Sequence, residues 1–74
     1  MTLTQLKAFL AAATTGSFTA AAAELQTTQP TVSELVRKLE EESGLPLFVR
    51  AGRRLTLTAA GEELPAWLRA DETE

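Results

Sequence analysis

This 74-residue chain has no cysteine and no histidine, and the two absences remove much chemistry at once. Without thiols there is no disulfide framework and no thiol redox centre, and without imidazole the commonest general base and the usual zinc-ligand sets are missing. No phosphate-cradling loop of the form GxxxxGK[ST] is present either, so the expectation is a protein that is not an enzyme and uses no metal or cofactor. No apolar run approaches the roughly 18 residues needed to cross a bilayer. The N-terminus lacks the basic-then-apolar pattern of a secretory leader. A cytoplasmic protein with no membrane partner and no small-molecule site within this chain is expected. Aromatic residues make up only 5% of the chain.

Positive charge is scarce as well. The formal net charge is −3, from 7 basic and 10 acidic residues, which at face value argues against a polyanionic partner. The distribution changes that reading. Glu62, Glu63, Asp71, Glu72 and Glu74 stand against Arg69 alone in the last thirteen positions, leaving a net +1 for residues 1–61. From Ser43 to Gly61 there is no acid at all, and Arg50, Arg53 and Arg54 fall within five positions.

The chain is near the size at which one hydrophobic core just offsets chain entropy. Its apolar fraction of 45%, dominated by alanine and leucine, favours helices. Leu3, Leu6, Phe9, Leu10 and Ala13 recur at the spacing of one helix face, ended by Thr14-Thr15-Gly16. Ser17 then offers an N-cap to an alanine-rich helix over Phe18 to Leu25, where small side chains let a neighbour approach closely. Gln26-Thr27 breaks the pattern. Thr28 caps a third helix, with Gln29 at its first position and Pro30 in its first turn, where the missing N–H costs little. Val32, Leu35, Val36 and Leu39 form its buried face, and Ser43-Gly44 ends it. Glu40, Glu41 and Glu42 read as a solvated end, paired with Arg37 or Lys38 one turn back.

Leu45 to Arg50 and Arg53 to Leu57 then read as two short strands around the Ala51-Gly52 turn. Thr58 can cap a fourth helix, with Leu64, Trp67 and Leu68 at helical spacing around Pro65. Two short helices, a third helix and a hairpin make a mainly α, winged helix-turn-helix fold: a three-helix core, a two-stranded wing and a C-terminal linker helix. The expected division is a DNA-binding domain over residues 1–58, then residues 59–74 as the start of a linker or dimerisation helix with an acidic tail.

Three stretches, "TLTQLKAFLAAATTGSF", "GSFTAAAAEL" and "TTQPTVSELVRKLEEESGLPLFVRAGRRLTLTAAG", also carry a family likeness. Together they resemble the N-terminal DNA-binding region of LysR-type transcriptional regulators, nearly continuously from Leu3 to Gly61. The resemblance implies a homodimer bound to a double-stranded operator or promoter. Positions matching Gln29, Pro30, Thr31 and Ser33 would lie at the major groove, Thr28 at phosphate, and Arg53 of the wing near the minor groove. Ser17, Glu34, Arg37, Lys38, Arg50 and Arg54 complete the expected DNA-binding set. Leu3, Leu64, Trp67 and Leu68 are the expected dimer contacts, since the fourth helix of the family pairs antiparallel with its partner.

The residue chemistry agrees independently. Gln can pair bidentately with adenine, and Ser or Thr hydroxyls serve base edges or phosphates. Three positions depart from the family pattern: Ala20 stands where arginine is frequent, Glu24 where a basic residue is common, and Glu34 where arginine or glutamine is frequent. Glu34 can either accept from cytosine N4 or repel the backbone. The competing reading is a small protein-interaction domain of the same fold, with DNA binding lost and Trp67 and the acidic tail facing a protein.

Overall fold

The computed structural model describes residues 2–63. Three helices, α1 (Leu3–Thr15), α2 (Phe18–Leu25) and α3 (Gln29–Ser43), precede a hairpin of β1 (Phe48–Ala51) and β2 (Arg54–Leu57). Residues 59–63 are again helical. This is the expected winged helix-turn-helix, and each helix begins where a side chain can satisfy its free amides. Thr2 and Gln5 form a reciprocal capping box on α1. Ser17 Oγ accepts from Ala20 N at 3.2 Å, and Thr28 Oγ1 accepts from Thr31 N at 3.3 Å. Gly16 and Gly44 close α1 and α3 in the left-handed conformation (φ +75° in each), which only glycine adopts without penalty.

The turn between α2 and α3 has no glycine. Gln26 takes the left-handed conformation itself (φ 58°), so that Thr27 N reaches Ala22 O at 2.9 Å and Gln26 N reaches Ala23 O at 3.3 Å. That pair of bonds is the Schellman closure, here made by a residue with a Cβ.

The core is built on small residues. Ala8, Ala11 and Ala12 of α1 meet Ala21 and Ala22 of α2 and Val32 and Val36 of α3, with Leu55 of the hairpin closing the group. A second cluster joins Phe9, Leu39 and Leu47. Phe48 packs against both, its ring centroid 5.3 Å from Phe9 and 6.0 Å from Phe18.

This corrects the expected face of α1. Of Leu3, Leu6, Phe9, Leu10 and Ala13, only Phe9 is buried; Leu6, Leu10 and Ala13 are half-buried and Leu3 is 68% exposed. The inward face is Gln5, Ala8, Phe9, Ala11 and Ala12, because alanine lets three helices approach where leucine would hold them apart. The Gln5 amide oxygen, accepting from Thr2 N at 2.9 Å, satisfies the one polar residue in that face. On α3, Val32, Val36 and Leu39 are buried as expected, while Leu35 is half-buried at the edge of the first cluster.

The hairpin is shorter than the sequence pattern indicates. Leu45, Pro46 and Leu47 are not strand, because Glu40 of α3 accepts hydrogen bonds from Leu47 N (2.7 Å) and Phe48 N (3.3 Å). Glu40 is therefore not a solvated helix end but the tie between α3 and the base of the wing. Thr58 secures the other side: its N donates to Leu47 O (3.0 Å), its hydroxyl donates to Pro46 O (2.6 Å) and accepts from Gly61 N (3.1 Å). The expected Thr58 cap is present, while Leu64, Pro65, Trp67 and Leu68 lie outside the described residues.

Candidate nucleic-acid interface

The first turn of α3 is an exposed, uncharged platform. Thr28, Gln29, Pro30 and Thr31 are exposed and Ser33 is half-buried. Beneath them Val32, Val36 and Leu39 fix the helix in the core. The Thr28 and Thr31 hydroxyls are 2.8 Å apart and joined by a hydrogen bond, so both are oriented before any ligand arrives. Gln29, at the first helical position, makes no side-chain hydrogen bond among the described residues and keeps its whole amide for a partner.

The middle of the same helix is arranged differently. At 3.6 residues per turn, Pro30, Glu34, Arg37 and Glu41 lie opposite the buried face. Arg37 grips Glu34 with two parallel bonds, Nη2 to Oε1 at 2.6 Å and Nε to Oε2 at 3.0 Å, and its Nη1 bonds Glu41 Oε2. Hydrogen bonding to Arg37 holds the Glu34 carboxyl below the usual glutamate range, against the opposing effect of desolvation. Glu34 in turn raises Arg37. The pairing of Arg37 with the acidic end was expected; its bidentate grip on Glu34 was not. The neighbouring Lys38 is exposed and forms no ion pair among the described residues.

The wing supplies the free cations. Its register pairs Phe48 with Leu57, Val49 with Thr56, Arg50 with Leu55 and Ala51 with Arg54. Gly52 (φ +66°) and Arg53 form the two-residue loop, with glycine at the first central position as a II′ turn requires. That puts Arg53 at the tip, Arg54 directly after it on β2 and Arg50 one pair further down on β1. All three are exposed and none is in an ion pair among the described residues. Leu55 N bonds Gly16 O at 2.9 Å, and the Arg54 side chain lies over Gly16, where an added Cβ would come within 3.0 Å of Arg54 Nε. The wing is thus seated against the α1–α2 turn, beside Ser17.

Of the expected site residues, the structure groups Thr28, Gln29, Pro30, Thr31 and Ser33 at one end of α3 and Arg50, Arg53 and Arg54 on the wing. Ser17 is half-buried, its hydroxyl engaged as the α2 cap. Glu34 and Arg37 are occupied with each other. Sequence reasoning missed Glu40 and Gly61. A Cβ on Gly61 would stand 2.3 Å from Leu47 O, so the start of the fourth helix presses directly on the base of the wing. Neither the Glu40 carboxylate on two distant amides nor the close approach of Gly61 to Leu47 O has a local sequence signal.

Comparison with known proteins gives a consistent answer. The family model described as "Bacterial regulatory helix-turn-helix protein, lysR family" matches residues 3–62. The chain is 49% identical over 70 residues to the RuBisCO operon transcriptional regulator of Allochromatium vinosum, covering 95% of this chain and 23% of that protein. Among solved structures, the DNA complex of CbnR DBD superposes with a TM-score of 0.90 at 36% identity, covering 99% of this chain and 84% of that one. A transcriptional regulator of the LysR family from Eggerthella lenta gives 0.87 at 39% identity, covering 93% and 99%. The chain spans less than a quarter of the length of the curated relatives it matches.

Proposed function

The chain belongs to the LysR family of bacterial regulatory helix-turn-helix proteins, and on that premise we propose that it is the sequence-specific DNA-binding module of a transcriptional regulator. It acts without catalysis. The observation that carries this reading is the pairing of two surfaces: an uncharged, pre-oriented first turn on α3, and a wing tip whose three arginines have no ion pair among the described residues.

The division of labour follows from chemistry. Gln29, Thr31 and Ser33 meet base edges in the major groove, where an amide can read adenine and hydroxyls can donate or accept, and Pro30 offers an apolar surface to a thymine methyl. Thr28, Ser17 and Lys38 lie at phosphates, and Arg50, Arg53 and Arg54 meet the backbone or the minor groove. A solved relative held on DNA supports the DNA-binding reading. Free arginines at the wing favour DNA over a protein-interaction role, because a surface that had lost its polyanion would have no use for them. Residues 1–58 form the DNA-binding domain, residues 59–74 begin the helix through which two copies pair, and the exposed Leu3 is a further dimer contact. A dimer of this kind addresses half-sites about one helical turn apart, roughly 34 Å, or a multiple of it.

The test is titration of a fluorescent duplex chosen by selection from random sequence. Gln29→Ala weakens binding to the selected duplex by about 1–3 kcal/mol and leaves random duplex binding unchanged. Arg53→Ala weakens both and lowers the salt slope by about 1. Unchanged affinity of both variants for the selected duplex would refute the assignment.

A further inference from the structure

On the α3 face turned away from the core, Glu34 and Glu41 flank Arg37 at the spacing of one helical turn on either side. Arg37 directs Nε and Nη2 to Glu34 and Nη1 to Glu41, so each of its three guanidinium nitrogens donates to a carboxylate. The three side chains together carry one net negative charge. They sit immediately after the uncharged turn, where the helix would lie deepest against a duplex.

We infer that Glu34 and Glu41 form a clamp that withholds Arg37 from DNA phosphate, so that α3 engages DNA through its uncharged first turn and Lys38. This rests on the DNA-binding reading above and adds to it a device for selectivity. Non-specific affinity comes almost wholly from cations that neutralise phosphates. Residues 1–61 hold six cations, so removing one from that role weakens binding to arbitrary sequence. The two carboxylates also repel a backbone that approaches out of register. Contacts from Gln29, Thr31 and Ser33 to the correct bases are untouched, and the ratio of specific to non-specific affinity rises. Glu34 in this arrangement is neither a cytosine reader nor an unpaired repulsive charge; it is one jaw of the clamp.

The decisive experiment is a salt series on four proteins: the parent, Arg37→Gln, the double variant Glu34→Gln/Glu41→Gln, and the triple variant. Each is titrated with a fluorescent random-sequence duplex, and far-UV circular dichroism confirms the fold. Every substituted side chain is exposed, so folding is retained. With the clamp in place, Arg37→Gln leaves the slope of log K against log salt unchanged. In the double variant Arg37 is released, and its removal lowers the slope by about 0.9, one phosphate contact. An equal effect of Arg37→Gln in both backgrounds, or no effect in either, would overturn the clamp while leaving DNA binding intact. Failure of all four proteins to bind either random or selected duplex would overturn the DNA reading itself, and the clamp with it.

Discussion

Replacing Glu40 with alanine should unfasten the wing from α3. Its carboxylate accepts from Leu47 N at 2.7 Å and from Phe48 N at 3.3 Å, at a part-buried site between helix and hairpin. Hydrogen bonds to a charged acceptor contribute about 1.5–3 kcal/mol, and amides left without a partner add a desolvation cost. Because the second bond is long and solvent can reach part of the site, the loss should be about 2–3 kcal/mol. For a domain of this size each kcal/mol moves Tm by about 4–8 °C, so thermal circular dichroism should register a fall of roughly 10–20 °C. Glu40→Gln keeps an acceptor oxygen without the charge and should cost about half as much. The control is the adjacent Glu41→Ala, an exposed change that should leave Tm within about 4 °C. Amide hydrogen exchange at Leu47 and Phe48 should accelerate in Glu40→Ala and not in Glu41→Ala. If the two alanine variants lose the same stability, Glu40 is an ordinary surface glutamate and the tie does not exist.

Three further outcomes follow from the same structure. Gln26→Gly should raise stability by about 1 kcal/mol in urea unfolding, because glycine removes the cost of a Cβ in the left-handed conformation while the Schellman bonds remain. Gly61→Ala should destabilise by about 1–3 kcal/mol, since its Cβ would meet Leu47 O at 2.3 Å and force residues 59–63 off the wing; a stability equal to the parent's would contradict that packing. Glu34 titrates below the ordinary glutamate range because Arg37 hydrogen-bonds its charged form. Its contribution is therefore present above that range and disappears only as pH falls through the depressed folded value. A carbon-detected carboxyl titration should give a midpoint below that of an unpaired glutamate, returning upward in Arg37→Gln; an ordinary midpoint in the parent would show that the pair does not form in solution.

What the sequence made legible was local. Ser17, Thr28 and Thr58 announce helix starts because a cap needs only its own next turn, and Gly16, Gly44 and Gly52 mark turns because a positive φ selects them one residue at a time. What it hid was carried by contacts distant in the chain or by residues with little hydrophobic signal. The alanines of α1 are weak markers beside its leucines, yet three helices can meet only on the alanine side. Leu45 to Leu47 have strand-like residues, but the Glu40 carboxylate, seven residues before Leu47, takes the amide a strand partner would have used. The candidate interface divides the same way. Charge position along the chain was enough to find the free arginines of the wing, whereas residue-level roles for Thr28 to Ser33 came from family resemblance. The Glu34–Arg37 spacing was in plain view, but two acids compete for Arg37 and only the structure displays both engaged at once.

Amide chemical-shift mapping can locate where the duplex meets this module, expected at the first turn of α3 and the wing. A 15N-labelled sample is titrated with the selected duplex at moderate salt. The largest shifts are expected over residues 28–33 and 50–54, with Leu3 and the α1 surface around it unaffected by the duplex at equal protein concentration. Shifts confined to other surfaces, with residues 28–33 silent, would contradict it.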